Sequence, residues 1–144
     1  MPSVFYSTII RAPLDVVWSE IRNFEALADW HPLITSCEIE SGTPADQVGC
    51  VRRFTLEDGS VFREKLLALN DFKKTFSYCI EESPLPLTQY VATMKFTRIT
   101  EGDWTFASWS STFDCPTESV DEMLALVENG VYKSGLDAVK GRVE

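Results

Sequence analysis

From residue 35 to residue 114 the sequence holds a two-residue hydrophobic period through six runs, and after Pro116 the period becomes helical. That switch constrains the fold more than any single motif, because side chains alternate between faces along a strand and recur every three or four residues along a helix. The runs are 35–41, 48–56, 60–69, 73–82, 89–99 and 104–114, separated by the turn signals "SGTPAD", "EDG", "ND", "SPLP" and "EGD". Connections this short join antiparallel neighbours. A further strand is predicted at 3–10 (SVFYSTII), followed by a helix that starts near Pro13 and carries Val16, Val17 and Ile21 on one stripe. "NFEALADWHPLITS" reads as one or two short helical turns, so residues 14–34 form a short helical plug.

The closing helix is predicted over about residues 118–141, with Val120, Leu124, Val127 and Val131 on one stripe and Met123, Leu126 and Leu136 beside it. At roughly 1.5 Å per residue it is long enough to cross the sheet. Gly130 and Gly135 lie inside it, each at a cost of about 1 kcal/mol relative to alanine. A kink, close packing or room for a guest would justify them. The 144 residues contain no repeat, low-complexity tract or linker, and a chain of this length buries roughly 68–70% of its unfolded surface in one core. The expectation is a single α+β domain spanning 1–144.

"GCVRRFTLEDGSVFREKL", residues 49–66, fixes one register in advance. A three-residue hairpin loop ends in the left-handed conformation that glycine adopts freely. With Glu57, Asp58 and Gly59 as that loop, 56 faces 60, 54 faces 62, and Arg52 faces Glu64. This phase groups the pair with Cys50, Phe54, Leu56, Phe62, Leu66 and Ala68, and continues through Phe76, Tyr78, Ile80, Tyr90, Ala92, Met94, Phe96, Trp109 and Phe113. One sheet face is therefore apolar and aromatic, interrupted by an ion pair and two phenols. A buried pair gives little net stability, so two roles stay open: a self-satisfied pair in the core or at a wet edge, or a contact to a bound small molecule.

The net charge of −9 opposes an electrostatic grip on phosphates, so nucleic acid and anionic membrane surfaces are poor partners. No segment reaches the ~18 consecutive apolar residues of a spanning helix, and the first residues lack the basic region of a signal peptide. No integral membrane association and a cytoplasmic location follow as expectations. Cys37, Cys50, Cys79 and Cys115 lack zinc-site spacing and read as small buried hydrophobes. No metal and no cofactor are expected. His31 is assigned a loop or capping role, Trp30 a plugging role, and Asp29 and Asp114 are read as solvated charge.

The order of "APLDVVW", "WHP", "GCVR", "REKLLALND", "FSYCI", "QYVATMKF", "WS" and "VYKSGL" along essentially the whole chain resembles the START-related helix-grip (SRPBCC) superfamily, polyketide cyclase/dehydrase-like. The resemblance implies a curved seven-stranded antiparallel sheet around a long C-terminal helix, with two short helices closing one end and an internal apolar cavity. It also implies that Trp30 borders the cavity mouth. Among enzymes of the superfamily, lachrymatory factor synthases carry an essential arginine and glutamate in motifs similar to "GCVR" and "EKL", which fall on Arg52 and Glu64. The phenol of "QYVAT", Tyr90, resembles a pocket tyrosine of those enzymes and of plant abscisic-acid receptors, whose Ser-Gly-Leu-Pro-Ala gate is replaced by "LEDGS".

Two functions are compatible with these residues. The chain binds or carries a small hydrophobic molecule, lipid-like, polyketide-like or aromatic, in a cavity lined by Arg52, Phe54, Phe62, Glu64, Tyr78, Tyr90, Met94, Trp109, Val127 and Val131, with Gly135 leaving room near its far end. Arg52 would then recognise a carboxylate or enolate oxygen. Alternatively it is a cofactor-free isomerase, cyclase or dehydratase with Arg52, Glu64 and Tyr90 as catalytic residues. Glu64 would move a proton, while Arg52 depresses the Glu64 pKa and stabilises an oxyanion. The oligomeric state is not legible.

Overall fold

In the computed structural model, which describes residues 1–144, seven antiparallel strands form one sheet in the order β1-β7-β6-β5-β4-β3-β2. The strands are β1 (Ser3–Ile10), β2 (Ile34–Ile39), β3 (Val51–Leu56), β4 (Val61–Asn70), β5 (Thr75–Glu82), β6 (Thr88–Ile99) and β7 (Trp104–Asp114). Each strand from β2 to β7 pairs with the next in sequence, and β1 closes onto β7. This is the expected meander, seven strands within a few residues of the expected spans.

Between β1 and β2 lie α1 (Leu14–Ile21), a 3-10 turn at Phe24–Ala26 whose first free N–H is taken by the Asn23 side chain, and α2 (Leu27–Trp30). Trp18 of α1 donates to Asp71 in the β4–β5 turn at 2.7 Å, and Arg22 grips both oxygens of the same carboxylate. The plug is thereby fastened to the sheet from its outer end.

The C-terminal helix runs from 117 to 143, but it is not uniform. α3 (Val120–Ala125) and α4 (Ser134–Val143) are separated by a π-helical segment, Leu126–Lys133, which contains Gly130. This segment packs beside β1, and α1 and α2 pack on α4. No helix is long and apolar enough to cross a membrane.

The hairpin follows the reading from its loop. Gly59 has φ +89°, Leu56 N–H bonds Ser60 O, and Arg52 is paired with Glu64. Along β4 the alternation of burial fails in "LLAL": the pairing steps from Leu66↔Tyr78 to Ala68↔Ser77, a bulge that turns Ala68 out to solvent and brings Leu69 opposite Phe76. Ala68 is therefore not on the apolar face. Of the four free cysteines only Cys50 is buried; Cys37 is half-buried on the edge strand β2 opposite Phe54, Cys79 is half-buried on β5 opposite Lys65, and Cys115 is half-buried just past the end of β7.

Candidate functional site

Between the sheet and the C-terminal helix lies a cavity of about 250 Å³, and fifteen of its twenty-one lining residues are hydrophobic. Its open end lies where exposed Leu33, the hairpin loop at Asp58 and the 84–87 loop meet. Its inner wall carries the polar groups.

Arg52 and Glu64 meet there as directly opposed residues of β3 and β4, 3% and 6% exposed. Arg52 Nε and Nη2 both donate to Glu64 Oε1, at 2.9 and 2.7 Å, while Nη1 donates to the Phe24 carbonyl at 3.2 Å. The guanidinium also lies over the Phe24 ring, 3.9 Å from its centroid, and 4.9 Å from that of Tyr78. Its fork is occupied and its face covered, so Arg52 is not the free anion receptor that its position in the sequence suggested. Glu64 is the less engaged partner, because Oε2 has no hydrogen bond from the protein. Burial pushes the Glu64 carboxyl above the usual carboxylate range, against the opposing pull of Arg52. The expected depression by Arg52 is thus outweighed by desolvation.

Two phenols complete the inner wall. Tyr78 Oη accepts from Trp109 Nε1 at 3.0 Å. Tyr90 shares a hydrogen bond with Tyr132, which the π segment brings under the sheet and stacks on Trp109, 4.4 Å between ring centroids. Burial holds all three phenols well above the ordinary tyrosine pKa, so they act as neutral hydroxyl groups. Phe54 and Phe62, stacked at 5.2 Å, form the wall nearer the mouth.

Nine residues of the expected lining are brought together: Arg52, Phe54, Phe62, Glu64, Tyr78, Tyr90, Trp109, Val127 and Val131. Met94 is not among them. It is buried between Phe76 and Trp109 in register, on the part of the face that α1 covers. Gly135 does not leave room for a guest either. A Cβ there would stand 2.8 Å from His31 Cδ2 and 3.0 Å from Trp109 Cζ3, so the glycine permits close packing.

That packing reveals what His31 does. It is 3% exposed, accepts from Leu33 N–H through Nδ1 at 3.2 Å, and contacts the Val131 carbonyl through Nε2 at 2.9 Å. With Nδ1 accepting, the Nε2–H tautomer donates to Val131. Burial lowers its pKa, the Val131 bond opposing. His31 therefore has the expected capping role, as the C-cap of α2 whose ring also takes the Leu33 N–H, and it is in addition a neutral bolt between plug and π segment that lines the cavity. Trp30 is buried against His31 and Trp109, behind the wall and not at the mouth. Leu27, Leu33, Ile34, Leu85 and Leu87 also line the space. Their runs, "ALADWHPLI" and "SPLPLTQ", alternate too briefly to advertise a face.

Comparison with known proteins agrees with this architecture. A family model described as polyketide cyclase/dehydrase and lipid transport matches residues 1–144, and the chain belongs to that family, within the SRPBCC superfamily. The Bacillus cereus protein XoxI is 31% identical, with a TM-score of 0.89 over 99% of this chain and 96% of its own. A Nitrosospira multiformis protein is 31% identical, with a TM-score of 0.84 over 99% and 97%. Ginseng major latex-like protein 151 from Panax ginseng shares the helix-grip fold at 20% identity, TM-score 0.78 over 99% and 97%. The family carries hydrophobic small-molecule binding in general.

Proposed function

We propose that this member of the polyketide cyclase/dehydrase and lipid transport family holds one small hydrophobic molecule in the cavity between its sheet and its C-terminal helix, as a binding or transport protein. The observation that carries this reading is the combination of apolar walls with a small polar cluster, Arg52, Glu64, Tyr78 and Tyr90, at the inner end. Convergent polar groups in an otherwise apolar pocket orient a ligand whose affinity comes from burial. The size limits the guest. Drug-sized pockets run from about 300 to 1,000 Å³, and an engineered cavity of about 150 Å³ takes benzene. A space of about 250 Å³ suits a lipid fragment or a molecule of about two fused rings.

Native mass spectrometry of protein purified from its own cell tests the proposal: a co-purifying apolar molecule, released on unfolding, is expected. Ligand-free protein whose melting temperature is unmoved by apolar probes would overturn it.

A second reading, a cofactor-free isomerase, cyclase or dehydratase, is favoured by one observation, the raised pKa of Glu64 beside a free carboxylate oxygen. In it Glu64 moves the proton, Arg52 holds Glu64 in place through Oε1, and Tyr90 supplies a neutral phenol. Exchange of ligand hydrogen for solvent deuterium that disappears in Glu64→Gln is its signature. Absence of exchange in the intact protein with its own ligand leaves binding alone.

A further inference from the structure

The cavity wall has an asymmetry of hydrogen bonding that specifies the polar end of the guest. His31 uses both ring nitrogens on the protein, Tyr90 is bonded to Tyr132, and Arg52 is turned onto Glu64 and Phe24. Arg52 uses three of its five N–H groups in this way and Tyr90 keeps one side of its hydroxyl, while two other buried lining residues carry unused capacity of complementary kind. Tyr78 Oη receives the Trp109 N–H and has no protein acceptor for its own hydrogen. Glu64 takes both Arg52 bonds on Oε1 and none on Oε2. Arginine is permanently charged and donates only, so it holds Oε1 as an acceptor and leaves the lone pairs of Oε2 to the cavity.

These two groups are placed to act together. Leu66 pairs with Tyr78 and Glu64 with Ile80, so Glu64 and Tyr78 are diagonal neighbours on the same face of β4 and β5. Diagonal positions lie about 7–8 Å apart, within reach of long and aromatic side chains. We propose that the site selects a neutral hydroxyl group on an apolar body: its oxygen accepts from the Tyr78 hydroxyl and its hydrogen is donated to Glu64 Oε2. A carboxylate is rejected, because it would place negative charge against Glu64 while Arg52 is already neutralised. Asp58 at the mouth adds to that bias. The inference rests on the cavity-binding reading and narrows it from any hydrophobic molecule to an alcohol, phenol or enol.

The test uses the full chain and three probes of one shape: naphthalene, naphthol and naphthoate, titrated by calorimetry. Naphthol is expected to bind about tenfold or more tightly than the other two, the worth of hydrogen bonds that include a charged acceptor. Tyr78→Phe should reduce the advantage of naphthol over naphthalene by roughly threefold to tenfold. Glu64→Gln uncovers the charge of Arg52 and should reverse the order, naphthoate overtaking naphthol. Should that variant fail to fold by circular dichroism, the ranking in the unaltered protein and the Tyr78→Phe series decide alone. Equal affinities for all three probes, or naphthoate tightest in the unaltered protein, would overturn the hydroxyl assignment and leave the cavity reading standing. If none of the three binds, the cavity reading fails and the assignment with it.

Discussion

Replacing Arg52 by Met removes the donors at 2.9 and 2.7 Å from Glu64 Oε1 and the donor at 3.2 Å from the Phe24 carbonyl, inside a site where both partners are almost fully buried. Breaking a buried pair from one side costs about 3–5 kcal/mol, since the remaining charge keeps its desolvation penalty without its partner. The loss must depend on pH. The Glu64 pKa already lies above its ordinary 4.5 and rises further without Arg52. A carboxyl with a raised folded-state pKa contributes fully below the unfolded value and loses that contribution as pH climbs through the folded one. The deficit of Arg52→Met should therefore be smallest near pH 4.5 and widen toward alkaline pH. The double variant Arg52→Met/Glu64→Leu, which substitutes an apolar pair, should return to within about 2 kcal/mol of the unaltered protein. Urea unfolding followed by circular dichroism measures all three, and an unchanged m-value certifies the comparison. Single variants that each cost below about 1 kcal/mol would mean the pair behaves as an exposed one. A stable double variant that still prefers naphthol over naphthoate would remove Glu64 from ligand recognition.

The glycines of α4 should respond oppositely to alanine in thermal melts. Gly135→Ala pushes a Cβ to 2.8 Å from His31, whose two hydrogen bonds prevent it from yielding, and overpacking of about 1–3 kcal/mol exceeds the ~1 kcal/mol gained in helix propensity. Gly141→Ala meets nothing within 4 Å and should stabilise by up to about 1 kcal/mol; the same sign at both sites would refute the packing argument. Because the folded-state pKa of His31 lies below 6.5, its contribution is present above that pH and lost as pH falls toward the folded value. The urea midpoint should fall on acidification below pH 6.5 in the unaltered protein and less so in His31→Gln, whereas parallel profiles would show that His31 is not held neutral.

The hairpin register was legible because loop length and strand alternation are local rules: once 57–59 is the loop, Arg52 must face Glu64. The meander and the helix followed from period alone. The bulge after Leu66 left no trace, since "LLAL" offers an apolar residue in either phase and contains no glycine or proline. Alternation says which face Met94 is on, but not that α1 covers that stretch of it. The role of His31 depends on Val131 and Gly135, a hundred residues away, and a lone histidine before Pro32 carries no local sign of such partners. The occupation of the Arg52 fork was hidden for a related reason: the Phe24 carbonyl and ring come from the plug.

The π segment has a consequence for how sequences of this fold are aligned. Buried side chains along the C-terminal helix fall at Met123, Val127, Tyr132, Leu136 and Val139, steps of four, five, four and three. An α-helix advances about 100° per residue, so a step of five would carry Tyr132 off the buried stripe were the segment α-helical. The wider turn absorbs the extra residue, and α3 and α4 keep their phase on either side. A relative one residue shorter between 127 and 132 can present the same stripe with an uninterrupted α-helix. An alignment that forbids a gap inside helices will then displace either the residues matched to Met123 and Val127 or those matched to Leu136 and Val139. For such a relative the single-residue gap belongs in the middle of the longest helix, where convention would least place it.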